Sequence, residues 1–204
     1  MTSSDQTSTR RRLTREARAR QLLEAARSLI AEEGTDALTL GRLAEEAGVT
    51  KPVVYDHFGS RNGLLAALYQ DYDVRQTELF DLAISHAAPN AQAKAQAFAE
   101  AYVRCVMSQG REIQGVLAAL SGSPELAAVK RAYQKVLIGK CVDIFSPFAG
   151  SGVVSNATLW AILGAADALA EAALAGEITQ ALAVEELRLT VLAGVERSQA
   201  IPRR

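Results

Sequence analysis

Apolar residues recur along this chain at the three-and-four spacing of helices, and Gly, Pro, Ser and Thr cut the pattern into segments. In residues 14–33, Leu22, Ala26, Leu29 and Ile30, with Leu23 beside them, form one stripe. Gly34 stands where a left-handed C-terminal cap falls. Leu40, Leu43, Ala44 and Ala47 repeat at i, i+3, i+4 and i+7, with Thr39 placed as N-cap and Gly48 ending the run. Thr50 then caps a third helix that carries Pro52 in its first turn, where the missing N–H has no intrahelical partner to lose. Gly59-Ser60 ends that helix and begins a fourth.

The rest predicts longer helices. Residues 61–86 form one helix or two abutting ones; "PNAQAKAQAFAEAYVRCVMSQG" gives another, and "REIQGVLAAL" a separate short one ending at "SGSP". A helix from Pro124 to about Phe145 precedes the loop "SPFAGSGVVSN", and the last two, about 156–175 and 179–199, flank "AGEIT". The expected class is all-α. Composition supports it, because an apolar fraction of 49% with only 5% aromatic residues, rich in Ala and Leu, suits close helix packing better than a β-sandwich. A chain of 204 residues fits one generous domain or two small ones. The Ser/Thr-rich start reads as a disordered tail.

Charge changes the picture locally. The whole chain is near neutral, at -1, but residues 1–20 hold six arginines against Asp5 and Glu16, a local balance of +4. That excludes a uniformly basic histone-like protein and leaves room for a basic site. Cys105 and Cys141 lie far apart in apolar helical patterns, so they read as buried thiols; neither a disulfide framework nor a metal site is signalled. The first residues lack an apolar leader core, and the most apolar stretch, "ATLWAILGAADALAEAALAG", is interrupted by Asp167 and Glu171. A cytoplasmic protein with no membrane partner is the expectation. His57 and His86 have no Cys, Ser or carboxylate companion at helical spacing, and no Gly-rich phosphate loop follows a strand, so no catalytic residues and no cofactor are assigned.

The segment from Leu40 to Phe58 has the requirements of a helix-turn-helix. Two helices cross steeply through a short turn only if the residue at nearest approach is small and the turn backbone permissive; Ala44 and Gly48 supply these. Val49 and Val54 close the core beneath with Leu40, Leu43 and Phe58, which leaves Thr50, Lys51, Val53, Tyr55 and His57 outward. Such a face suits DNA: hydroxyls and Lys for phosphates or guanine edges, Val for thymine methyls, Tyr for a backbone phosphate.

"LTLGRLAEEAGVTKPVVYDHFGSRNGLLAAL" resembles the DNA-binding segment of TetR/AcrR-type bacterial transcriptional regulators, in its "LAEEAGV", its short third helix ending in Tyr55-x-x-Phe58, and the basic residue and Leu that open the fourth helix. The likeness covers about residues 14–68. It implies a basic tail over 1–13, a three-helix helix-turn-helix domain over 14–60, and a helical ligand-binding and dimerisation domain over 61–204. It also implies Thr39, Arg42 and Arg61 as further DNA contacts, Arg61 standing where the family usually has Lys. Pro52 removes a backbone donor, and Gly63 stands where an acidic residue would complete a capping box, which loosens the start of helix 4 as either function or drift.

Several positions keep two readings. His57 is a phosphate contact or a polar helix-end residue. Arg42 and the Arg10–Arg12 cluster are DNA contacts or solvated charges. The family implies a pocket among the later helices, for which Tyr102, Tyr133, Trp160 and Asp167 are candidates, with Asp167 alternatively facing water or a dimer partner. Val184, Leu187, Val191 and Val195, together with the small residues Gly164, Ala165, Ala168 and Ala172, are the expected surface of a four-helix homodimer bundle. The function read from the sequence is a homodimeric repressor released from operator DNA by a small-molecule effector; the alternative is an architectural or constitutive DNA-binding protein without an effector.

Overall fold

The computed structural model describes residues 13–150 and 153–199, and among them every regular element is helical. The Arg10–Arg12 cluster lies outside them. Eight α-helices follow in order: α1 Arg15–Glu33, α2 Leu40–Glu46, α3 Lys51–Phe58, α4 Arg61–His86, α5 Ala91–Ser121, α6 Pro124–Phe145, α7 Asn156–Ala175 and α8 Gln180–Gln199. The chain divides into two compact units after Arg61.

In the N-terminal unit the apolar stripes meet as the pattern predicts. Leu22, Ala26 and Leu29 of α1, Leu43 and Ala44 of α2 and Val54 of α3 are buried, while Val49 and Phe58 are half-buried at the rim. The turn between α2 and α3 closes with the Val49 N–H donating to the Ala44 carbonyl at 3.0 Å and Gly48 at φ 63°, a conformation that favours glycine. Thr14 and Thr39 cap α1 and α2, each hydroxyl oxygen accepting a backbone N–H three residues on.

In the C-terminal unit α5 runs unbroken for 31 residues, roughly 46 Å at the helical rise. This corrects the two helices expected on either side of Gly110. Glycine inside a helix costs only about 1 kcal/mol relative to alanine, and the packing of α5 against α6, α7 and α8 outweighs that. Phe98, Phe145, Leu159, Leu187 and Val191 form the centre of this core.

α7 has the length and hydropathy of a membrane span, but Leu159, Ile162, Leu163, Ala166, Ala170 and Ala173 are buried within the unit, which accounts for its apolar composition. α8 supplies a second correction. Leu187, Val191 and Val195, expected to face a second copy, are at most 2% exposed and pack into the chain's own core. The side turned outward is a different one: Gly164 and Ala168 of α7 are exposed, as are Leu182 and Leu189 of α8, whereas Ala165, Ala172 and Val184 are half-buried.

Candidate nucleic-acid interface and ligand cavity

The N-terminal unit presents α3 with a core side and an open side set by adjacent residues. Val54 is fully buried and Tyr55 is 53% exposed, so the phenol ring stands out from the unit. Thr50 and Lys51 are exposed beside it, with Val53 and His57 half-buried. Thr50 occupies the N-cap position of α3, but its hydroxyl makes no capping bond and stays available as donor and acceptor. Lys51 folds back toward the start of α2, its Nζ 3.7 Å from where a side chain on Gly41 would begin, which gathers Lys51, Gly41 and Thr39 into one patch.

The charges around this patch are arranged by partners that the linear pattern does not reveal. Asp56, an acidic residue on α3 that would repel phosphate, accepts from the Arg15 guanidinium at 2.9 Å, and a second Arg15 nitrogen reaches the Asp56 carbonyl at 3.0 Å. Arg42 is held between Glu33 and Glu46 at 2.5 and 3.1 Å, so a phosphate must compete with two carboxylates for it. Arg61, expected as a phosphate contact, has its guanidinium turned onto the Leu38 and Thr35 carbonyls at 2.9 and 2.8 Å. Its planar fork clamps the segment between α1 and α2, where the Thr35 carbonyl also accepts the Leu38 N–H of a single 3-10 turn.

The C-terminal unit carries a cavity of about 310 Å³ that opens to solvent beside the exposed Glu171. Three of the four expected ligand residues line it: Tyr102, Tyr133 and Asp167. The Tyr102 hydroxyl donates to Asp167 Oδ1 at 2.5 Å. Trp160 is the exception; it is no part of the lining, and its ring instead lies under the Arg131 guanidinium at 4.4 Å. The wall also takes Tyr69, Tyr72 and Asp73 from α4, Lys130 from α6 and Glu171 from α7. Helical spacing carried a signal for two of these, since Asp73 follows Tyr69 and Glu171 follows Asp167 by four residues and therefore shares its face.

Burial sets the protonation of the lining. It pushes the Tyr69, Tyr72 and Tyr102 phenols well above their ordinary range, and the Asp167 charge adds to the effect on each. All three are therefore hydroxyl donors at neutral pH. Burial also raises Asp73, against a lowering influence from Lys140.

The N-terminal segment and the fold can be compared with known proteins. Residues 22–68 match the family model described as bacterial regulatory proteins, tetR family. The HTH-type transcriptional activator FasR of Mycolicibacterium smegmatis is 42% identical over 59 residues, a segment spanning 29% of this chain and 27% of the activator. A putative transcriptional regulator from Pseudomonas aeruginosa PAO1 shares the fold with a TM-score of 0.76 at 18% identity, over 94% of this chain and 97% of that one. A TetR-like transcriptional regulator from Rhodococcus sp. RHA1 gives 0.68 at 22% identity, over 90% and 98%. The fatty acid degradation regulator FadR from Bacillus halodurans gives 0.71 at 16% identity, over 86% and 94%. Residues 22–68 therefore carry the helix-turn-helix of the tetR family of bacterial regulatory proteins, and the helical architecture of the chain is shared with these solved regulators.

Proposed function

We propose that this protein is a homodimeric repressor that binds a pseudo-palindromic operator and leaves it when a small molecule fills the C-terminal cavity. The observation that carries the DNA-binding half is the split of α3 into a buried Val54 and an outward Tyr55, with Thr50 and Lys51 alongside. Lys51, Thr39, Thr50 and Tyr55 meet the phosphate backbone, which fixes register, while Val53 reaches a thymine methyl in the major groove. His57 lies along the rim as an additional phosphate contact. Arg42 joins only where a phosphate displaces a carboxylate from it.

The dimer in this reading forms through the outward sides of α7 and α8, where Gly164 and Ala168 allow close approach and Leu182 and Leu189 supply apolar area. Two recognition helices then meet half-sites roughly 34–36 Å apart or a multiple of that. The cavity favours an effector-responsive protein over a constitutive one. α4 carries Tyr69, Tyr72 and Asp73 in the cavity wall and begins at Arg61, whose side chain holds the Leu38 and Thr35 carbonyls. Movement of α4 on ligand binding would pull on that clamp, and a ligand shifts DNA affinity only by its preference for one arrangement. The relative from Mycolicibacterium smegmatis is named an activator, which makes activation the second reading. No catalytic step, metal or membrane partner belongs to either.

The test is selection of bound fragments from genomic double-stranded DNA by the full chain, followed by footprinting and sedimentation at micromolar concentration. A two-fold symmetric footprint overlapping a promoter, bound by a dimer, supports repression; a footprint upstream of the promoter supports activation. A monomer binding with full affinity, or binding without sequence preference, overturns the proposal.

A further inference from the structure

We infer that the molecule taken by the C-terminal cavity is a small organic cation, an amine or quaternary ammonium bearing an aromatic or apolar group. This inference rests on the reading of that cavity as an effector site. Among the described residues the lining holds three carboxylates, Asp73, Asp167 and Glu171, against one cation, Lys130, and none of the three forms an ion pair. Lys140, the basic side chain that acts on Asp73 from outside the lining, is itself bonded to Asp81. Asp167 receives the Tyr102 hydroxyl on one oxygen, which leaves most of its acceptor capacity open. Asp73 and Asp167 are half-buried and Glu171 is exposed at the mouth, and half-buried carboxylates call for a positive partner.

The second observation is aromatic and independent of the acids. Tyr69 is only 5% exposed, yet among the described residues its hydroxyl has no hydrogen-bond partner, and the side chain lines the cavity. Its oxygen is not sealed in protein: among the described residues the buried side-chain atom left without a partner is Ser146 Oγ. A phenol held this way offers a polar atom to an occupant. Tyr69 also stands edge-on to Tyr133 at 5.5 Å and tilted to Tyr72 at 6.1 Å, so several electron-rich rings border the same space as the carboxylates. Ring faces attract cations and give an anion nothing in return. Among the described lining residues a fatty carboxylate would meet three like charges and one Lys. The volume, about 310 Å³, falls at the small end of the roughly 300–1,000 Å³ range of ligand pockets, which limits the occupant to a compact molecule.

The test uses the full chain and calorimetric titration with probes of matched size: benzyltrimethylammonium and phenethylammonium as cations, phenethyl alcohol as neutral, phenylacetate and decanoate as anions. The cations are expected to bind, with anions and the alcohol weaker by about ten- to a hundredfold, the range set by a charge-assisted hydrogen bond for phenethylammonium and by ring-face and carboxylate attraction for benzyltrimethylammonium. Asp167→Asn, which keeps an acceptor for Tyr102, and Asp73→Asn are each expected to weaken cation binding by a similar factor while leaving binding to the selected operator intact. Two variants guard against either one failing to fold. Anions or the alcohol binding as tightly as cations, no cation binding at millimolar concentration, or unchanged cation affinity in the folded Asn variants would each overturn the inference. Operator release is measured in parallel. Cation binding without release refutes the effector reading alone; release by anions and not by cations refutes the cation inference alone.

Discussion

Gly194 of α8 and Gly164 of α7 are both helical, but they face opposite surroundings, and the same substitution should act on them with opposite sign. Replacing a helical glycine by alanine favours the folded state by about 0.5–1 kcal/mol, through the conformational freedom that glycine loses. At Gly164 nothing lies within 4 Å of the added carbon, so Gly164→Ala should show that full gain in chain stability. At Gly194 the added carbon meets Thr158 Cγ2 at 2.9 Å and Ile162 Cδ1 at 3.1 Å, and Thr158 is stiff at its branched β-carbon. Overpacking of this kind costs about 1–3 kcal/mol. Gly194→Ala should therefore be neutral to destabilising, by about 0–2.5 kcal/mol net. Urea unfolding followed by helical circular dichroism at several protein concentrations gives both values and separates chain stability from assembly. The proposed dimer adds a second readout, because Gly164→Ala places a methyl group where two copies approach and should weaken self-association in sedimentation while raising the unfolding midpoint at high dilution. If Gly194→Ala stabilises as much as Gly164→Ala, the α7–α8 spacing is not set by that glycine. If Gly164→Ala leaves assembly untouched, the outward face of α7 is not the dimer surface.

Tyr55→Ala and Lys51→Ala should each weaken operator binding by about 1–3 kcal/mol with unfolding midpoints unchanged, since both side chains are exposed; loss of stability with DNA affinity intact would reverse the facing assigned to α3. Arg61→Ala should destabilise the N-terminal unit by about 1–3 kcal/mol, with Arg61→Lys recovering part of it because an ammonium cannot span two carbonyls as the fork does. The salt dependence of DNA binding should not change in Arg61→Gln, which removes the charge and keeps a donor; a slope reduced by about 1 would make Arg61 a phosphate contact after all. Burial pushes the Cys141 thiol from 9.0 up to about 12, so the native state holds the neutral form. Its contribution to stability is complete below pH 9 and is lost at roughly 1.4 kcal/mol per pH unit as pH rises from 9 toward 12. Cys141→Ala should flatten the alkaline fall of stability measured between pH 9 and 11, and an equally steep fall would mean that this thiol ionises as freely in the native state as in the unfolded chain.

The helix-turn-helix was legible residue by residue because its determinants are local. The period of Leu40, Leu43 and Ala44, the caps at Thr39 and Gly48, and the alternation of Val54 and Tyr55 depend only on helical geometry over a few turns. The cavity was legible in part. Tyr102, Tyr133 and Asp167 stood out by chemical type, and Asp73 and Glu171 were implicit in their four-residue spacing from Tyr69 and Asp167. Of the four small residues expected on an open surface, Gly164 and Ala168 are exposed and Ala165 and Ala172 are half-buried.

What the linear pattern could not decide were the choices between partners distant in the chain. A guanidinium reads as a phosphate ligand in any sequence; only folding shows that Arg61 spends its donors on Leu38 and Thr35, that Arg42 sits between Glu33 and Glu46, and that Arg15 cancels Asp56 across 41 positions. Trp160 went to Arg131 rather than to the cavity for the same reason. The stripe of Leu187, Val191 and Val195 has the same period whether it meets another helix of its own chain or a second copy, and the chain's own core claims it. Periodicity reports that a face is apolar and fixes the element; which surface covers that face depends on the free energy of burying it against every alternative, and that comparison exists only in three dimensions.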